Sequence, residues 1–197
     1  MFKPSRLLPS LLLPWFMALG LPAQANWHLD GESSRLSFVT GKNGNIAEVS
    51  RFLVLHGKVD RKGAAEVSIE MDSISSGIPL RDERMRDHLF AFEQFPEARV
   101  QAQIDLRPIN DLADGAQLEL RLPVSVTLHG QTRSYNTLLL ATRLDERRFQ
   151  VVTLEPLILR AADFGLLPGL ENLRKLAGLK SINPSVPVSA VLIFTAR

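Results

Sequence analysis

The densest group of ionisable side chains in the chain is segment 81–88, with the sequence RDERMRDH. These charges could form the polar rim of a pocket mouth. The same pattern is typical of a solvated helix face, on which acids and bases three or four residues apart pair with one another. Because such exposed pairs contribute little to stability, we interpret most of them as surface charges. Arg81 and Asp82 lie at a predicted strand-to-helix corner, and we expect them to form a structural pair.

The other residues with chemical potential do not form a recognisable catalytic or metal-binding pattern. The four histidines, at positions 28, 56, 88 and 129, are far apart and lack the clustered spacing of metal ligands. The chain contains no G-x-S-x-G, H-E-x-x-H or Gly-rich phosphate motif, and no cysteine. Asp163-Phe164-Gly165 matches a kinase tripeptide without any other kinase motif. We therefore expect no enzyme, cofactor or metal; a hydrolase or metalloenzyme that uses the histidines remains the third alternative.

Residues 1–25 differ in composition from the rest of the chain. Lys3 and Arg6 precede an apolar run, and Ala23-Gln24-Ala25 provides a small-residue ending. This pattern predicts a secretory signal peptide cleaved after Ala25. Its removal leaves one domain, residues 26–197, with 21 basic and 21 acidic residues. This overall balance gives no reason to expect attraction to nucleic acid or to an anionic membrane. Export without disulfides favours the periplasm, with no stable membrane insertion after cleavage.

The strongest structural pattern is the alternation of polar and apolar residues from Gln117 to His129. A period of two over that length predicts a long β-strand with one dry face. Shorter stretches show the same pattern between turn signals. The predicted strands are 36–40, 52–59, 67–72, 99–106, 117–129, 133–143, 149–160 and 186–195.

About eight strands joined by short turns predict an antiparallel sheet that hides its dry face in a sandwich or a closed barrel. The pattern alone does not choose between these two folds. Two segments, 80–92 and 168–179, carry apolar residues at helical spacing. The first is expected to end at Phe95-Pro96 and the second at Gly178. These helices could cover a barrel mouth or pack on an outer face.

The order of these segments resembles that of the YceI-like family of exported proteins. The resemblance covers about residues 27–196. It depends on a series of short segments in the right order. They are Gly41-Lys42 after Phe38, 49–52 leading to Gly57, 67–74, 81–85 with Leu89-Phe90, 95–98, His129-Gly130 and 160–165. Segment 41–49 departs from the family pattern because it replaces a His-containing start, and the leucine-rich segment 167–181 is an insertion.

The resemblance implies an all-β fold: an extended antiparallel eight-stranded lipocalin-like β-barrel with one or two short amphipathic helices near an end. It also implies a long apolar ligand inside the barrel, such as a polyisoprenoid, an isoprenoid quinone or a fatty amide. Our candidate lining residues are Phe38, Met71, Phe90, Phe92, Val100, Ile104, Leu120, Leu122, Val126 and Phe164. A polar headgroup is expected to meet Arg81, Asp82 or Asn183 near an opening.

The first functional hypothesis is therefore a periplasmic lipid carrier without catalytic activity. The alternative is an envelope protein with a fully packed barrel, which would act through its outer surface. A homodimer is compatible with both hypotheses.

Overall fold

The computed structural model describes residues 26–196, so the signal peptide predicted over residues 1–25 lies outside the described residues. The described chain is built mainly from β-strands connected by turns and short helices. The strands are β1 (Trp27–Leu29), β2 (Arg35–Lys42), β3 (Ile46–Phe52), β4 (Leu55–Val59), β5 (Ala64–Glu70), β6 (Ile74–Ser75), β7 (Glu97–Gln103), β8 (Gln117–Leu128), β9 (Gln131–Asp145), β10 (Arg148–Thr153), β11 (Leu157–Arg160) and β12 (Ser185–Ala196).

These strands form one closed antiparallel barrel. The hydrogen-bonded order runs β1-β4-β5-β7-β8-β9-β10-β12, and β12 pairs with β1 to close the ring. Strand β2 continues β1 along β12, β3 continues β4 beside β2, β6 continues β5 beside β3, and β11 continues β10. The barrel therefore has eight walls, several of them made from two segments, and the predicted barrel is confirmed over the sandwich.

Two predicted strands are each interrupted in the structure. Segment 52–59 breaks at Leu53, whose N–H donates to the carbonyl of Ser73, so that β3 and β4 pair with different neighbours. Segment 149–160 breaks before Pro156, which has no N–H to donate to the ladder. At this break the Thr153 hydroxyl accepts the N–H of Ala190 at 3.1 Å, which replaces a missing backbone acceptor.

The helices are short and lie mainly at one end of the barrel. They are α1 (Pro79–Arg84), which continues into a π-helical turn (Met85–Phe90), then α2 (Arg107–Asn110) and α3 (Leu167–Leu176). The expected end of the first helix at Phe95-Pro96 is wrong, because Ala91 adopts a left-handed conformation with φ of 47° and stops the helix earlier. Gly178, with φ of 62°, follows α3 as expected. Helix α2 was not predicted.

The inside of the barrel contains two apolar clusters, one towards each end. The first lies under the helices, which contact one another and the 3₁₀ turn Ala161–Phe164; we call this the helical end. The second contains Trp27, Phe149 and Phe194 and is covered by Ile109 of α2; we call it the α2 end. Leu29, Val67 and Leu192 contact both clusters, so they mark the waist of the barrel.

Candidate functional site

The inner wall of the barrel follows directly from the strand register. Residues opposite each other on neighbouring strands share a face. Val67 pairs with Val100, which pairs with Val126, so these three form an inward-facing row. On the next pair of strands, Leu120 lies opposite Leu139, with both side chains directed inward. The dry face predicted from the alternation of β8 is therefore the inner wall of the barrel.

The waist of this inner wall is not fully packed. Val100, Leu120 and Leu122 face the inside of a closed barrel but remain half-buried, as do Leu29 and Leu192. A close-packed interior leaves almost no accessible surface on such side chains. We therefore take the accessible surface at the waist as a candidate apolar lumen. A slender hydrocarbon chain fits the chemistry of this wall.

Both ends of the lumen are blocked by buried aromatic side chains. At the helical end, Phe38, Phe52 and Phe90 form a chain of contacts with ring centroids 5.6 and 6.0 Å apart. At the α2 end, the rings of Trp27 and Phe149 meet edge to face at 4.9 Å. The accessible inner surface is thus concentrated between two aromatic layers.

The structure separates the ten predicted lining residues into two groups. Most lie at the helical end or next to it, whereas Ile104 and Leu120 belong to the cluster at the α2 end. The members that are already buried by protein neighbours are Phe38, Met71, Phe90, Val126 and Phe164. The members that keep accessible surface are Phe92, Val100, Ile104, Leu120 and Leu122. The second group is better placed to contact a guest.

The predicted headgroup residues Arg81 and Asp82 hold the helical end together. They do not pair with each other directly; both bind Ser76. Asp82 accepts the backbone N–H of Ser76 at 2.8 Å and also its hydroxyl, while Arg81 donates to the Ser76 hydroxyl and carbonyl at 2.8 and 2.9 Å. Arg81 also forms an ion pair with Glu48, which Lys42 contacts at 2.8 Å. Hydrogen bonding from Lys42, together with the charge of Arg81, lowers the pKa of Glu48 below its usual value.

Asn183, the third predicted headgroup residue, lies exposed where the chain enters β12. Its backbone N–H donates to Gly41 at 2.7 Å, and its side-chain oxygen accepts the N–H of Ser185 at 2.9 Å. Its Cβ lies 3.3 Å from the position that a Cβ on Gly41 would occupy. These contacts attach the β2–β3 hairpin to β12, so the three predicted residues surround the helical end and hold its parts together.

Two inward-facing polar residues on β9 were missed by the sequence reasoning. Thr137 lies opposite Leu122 and is 8% exposed. Tyr135 stacks on Phe164 with ring centroids 6.4 Å apart, and its hydroxyl donates to Asp163 at 3.4 Å. Burial raises the pKa of Tyr135 above its ordinary value. The alternation of β9 places both residues on the same face as Leu139, and this pattern could have predicted that they point into the barrel.

Two of the histidines make contacts with other parts of the protein. His56 contacts Glu70 at 2.9 Å on the outer surface, and His129 contacts the carbonyl of Phe164 at 3.2 Å through Nδ1. Within residues 26–196, no group of three or more His, Asp or Glu side chains is arranged to hold a metal ion. None of the helices in this range is long and apolar enough to cross a membrane.

One groove of the described chain lies on the outside of the barrel. It has a volume of about 650 Å³ and is lined by outward-facing residues that include His28, Lys58, Glu66, Gln101 and Ser125. Its lining mixes charged and amide side chains, unlike the apolar inner wall. The lumen is therefore the candidate site for an apolar guest.

Comparisons with known proteins agree with this geometry. Residues 27–194 match the model of the YceI-like domain family. A polyisoprenoid-binding domain from Saccharophagus degradans, implicated in plant cell wall breakdown, is 36% identical and superposes with a TM-score of 0.85, covering 87% of this chain and 98% of that one. Among curated proteins, none matches the chain.

Two more distant structures share the fold. Burkholderia cenocepacia BcnA is 14% identical, with a TM-score of 0.64 over 84% of this chain and 98% of its own. A Campylobacter jejuni YceI protein is 11% identical, with a TM-score of 0.50 over 75% of this chain and 84% of its own. At these identities the likeness concerns the fold alone. The family match over nearly all of the described residues, together with the 36% identical domain, shows that this chain belongs to the YceI-like family.

Proposed function

We propose that this protein binds a long apolar lipid inside its barrel and carries it without chemical change. The observation on which this depends is the accessible apolar surface at the waist, where Val100, Leu120 and Leu122 face inward but are only half-buried. In a fully packed barrel, neighbouring side chains would bury these residues. The 36% identical domain that binds polyisoprenoids supports the same ligand class.

The driving force is the transfer of hydrocarbon from water to the inner wall. A tail that buries about 400 Å² of apolar surface gains on the order of 10 kcal/mol before association and ordering are subtracted. The lumen is slender because eight strands enclose a narrow interior. An extended polyprenyl chain therefore fits better than a branched or bulky lipid, and the ligands that we propose are a polyisoprenoid, the tail of an isoprenoid quinone, or a fatty amide.

We further propose that the protein works in the periplasm after cleavage of residues 1–25. This proposal is supported by the basic start, the apolar run and the A-x-A ending of that segment. The intact mass of protein recovered from a periplasmic extract tests it. An intact mass that equals that of residues 26–197 supports export, whereas the mass of the uncleaved chain, recovered from the cytoplasm, contradicts it.

Native mass spectrometry of freshly purified protein tests the ligand proposal. We expect an adduct that organic extraction releases as an isoprenoid or a fatty amide, and stoichiometric uptake of added geranylgeraniol by the extracted protein. A clean apo mass combined with no uptake in the titration would refute lipid binding and would favour the alternative of a packed envelope protein. Retention of a metal through extraction and dialysis would instead support the metalloenzyme alternative.

A further inference from the structure

The helices of the helical end form a lid with apolar side chains on its outside. We define the lid as α1, the π-helical turn and α3. Helix α3 crosses the π-helical turn at Gly169, where a Cβ would lie 2.5 Å from the carbonyl oxygen of His88. At the other end of α3, Arg84 of α1 donates to the carbonyl of Leu176 at 3.2 Å. The helices therefore run antiparallel and in close contact.

Large apolar residues project from this lid into solvent. Leu80 is 55% exposed and Leu176 is 44% exposed, and Ile78, just before α1, is exposed as well. Leu80 precedes Arg84 by four residues in α1, so both side chains lie on one helix face. Because Arg84 donates to the carbonyl of Leu176, it links the helix face that carries Leu80 to the end of α3 that carries Leu176. Arg84 forms no ion pair with any acidic residue in the described part of the chain.

The lid and the parts beside it carry more basic than acidic residues. The segments 42–48, 76–88 and 167–184 together contain seven Lys or Arg and five Asp or Glu residues, although the domain as a whole is balanced. Ion pairs account for two of these acids and four of the bases, since Glu48 pairs with Lys42 and Arg81, and Glu171 with Arg174 and Lys175. A third acid, Asp82, is buried against Ser76. The two remaining acids, Glu83 and Asp87, are exposed on the lid. Lys180 is exposed at the edge of the same surface and contributes a free positive charge.

The lid end is also easier to open than the α2 end. Helix α3 has no fully buried side chain and contacts the core through half-buried Leu170 and Leu173. Wall-strand aromatics lie beneath both ends, Phe38 and Phe52 at the helical end and Trp27, Phe149 and Phe194 at the α2 end. The covers differ, because α2 contributes the buried side chain of Ile109 whereas α3 contributes none. Segments with few buried contacts open at lower free energy than core strands do. A lipid therefore enters and leaves the barrel most readily past α3.

We propose that the outer face of the lid docks on the surface of an anionic phospholipid bilayer. This inference rests on the proposed function, because it gives the route by which a membrane lipid reaches the lumen. Ile78, Leu80 and Leu176 enter the interfacial region, while Arg84 and Lys180 contact lipid phosphates. Apolar insertion combined with basic residues is the usual physical basis of reversible binding to anionic membranes.

Vesicle flotation tests the proposal, using phosphatidylglycerol–phosphatidylethanolamine vesicles and pure phosphatidylcholine vesicles. We expect binding to the anionic vesicles that weakens as salt is raised, and at least tenfold weaker partition for the double variant L80S/L176S. The charge variant R84Q/K180Q should weaken binding to anionic vesicles and remove part of the salt dependence. The control V49S/I158S removes apolar residues that are 66% and 48% exposed on the outer wall, and it should bind like the parent protein.

Several outcomes would overturn the proposal: no binding to anionic vesicles, equal binding to neutral ones, or equal loss in the control. Absence of binding to both kinds of vesicle would favour a protein partner for the outer face of the lid. Circular dichroism of each variant excludes unfolding as the cause of a loss. Geranylgeraniol uptake from ethanol, measured by native mass spectrometry, separates docking from lipid binding. A protein that takes up the alcohol without floating refutes only the docking, whereas one that floats but takes up nothing refutes only the carrier function.

Discussion

Filling the waist of the barrel with one large side chain should block ligand binding without unfolding the protein. Leu120 faces inward opposite Leu139 and is half-buried, so in Leu120→Trp the indole ring can extend into the lumen. If the ring keeps about 100 Å² of tail surface out of the barrel, the loss is about 2.5 kcal/mol, or about 60-fold in Kd. Because the lumen accepts the ring, the free energy of unfolding should change by less than about 1 kcal/mol, compared with ~1–3 kcal/mol for overpacking a filled core.

The matched variant is Val126→Trp, at a position that also faces inward but is buried in the helical-end cluster. It should lose at least as much stability as overpacked cores do, because no space is open beside it. Titration with geranylgeraniol measures Kd for the parent and for Leu120→Trp, and urea unfolding followed by circular dichroism measures the stability of all three proteins. Equal destabilisation of the two tryptophan variants would show that the waist is filled, and an unchanged Kd in Leu120→Trp would show that the ligand does not occupy it. Either result refutes the reasoning.

Three further predictions concern packing, pH and a turn. Phe164 is 1% exposed, so Phe164→Ala should reduce the free energy of unfolding by about 3–5 kcal/mol. Leu122→Ala should lose clearly less stability, because the Leu122 side chain already borders the lumen. Similar losses of the two variants in urea unfolding would contradict an open waist. The pKa of Glu48 lies below its ordinary 4.5, so its ion pairs stabilise the fold above that pH and are lost as the pH falls through the lowered value. The stability difference between the parent and Glu48→Gln should therefore be largest near neutral pH and shrink in acid, and a difference independent of pH would count against this pairing. Gly63 has φ of 82°, and a Cβ there would lie 1.9 Å from the carbonyl oxygen of Ile104, so Gly63→Ala should lower the thermal midpoint of unfolding. Gly115 has a similar φ of 79° but open space around it, so Gly115→Ala should lower the midpoint much less. Equal shifts would mean that the backbone conformation, and not the clash, determines the loss.

The wall of the barrel could be predicted from the sequence because strand alternation is a local property. Leu118, Leu120 and Leu122 face the same side whatever the rest of the chain does. The interruption at Leu53 was not predicted, since it depends on which neighbouring strand each segment meets. The interruption before Pro156 was also missed, although proline lacks the N–H that a central strand donates. The change from α-helix to π-helix after Arg84 was not predicted either, because the spacing of apolar residues does not distinguish the two kinds of helix.

The candidate site was predicted only in part. An inward direction for Val100, Leu120 and Val126 followed from alternation. Their burial differs because Val126 lies within the helical-end cluster, whereas Leu120 packs only at the border of the cluster at the α2 end. Arg81 and Asp82 were correctly placed at the corner, yet their common partner Ser76 could not be identified from spacing alone.

By itself, the sequence determined a two-faced antiparallel sheet, a leader-like start and the absence of cysteine chemistry, because these features depend on residue type and short spacing. The tertiary structure decided that the sheet closes through β1 and β12, and which inward side chains are packed and which border a lumen. The physical reason is that packing sums contacts from distant segments. Met71 and Phe164 are 93 positions apart and lie in one cluster at the helical end, while Leu120 and Leu122 of β8 remain half-buried at the borders of the two clusters.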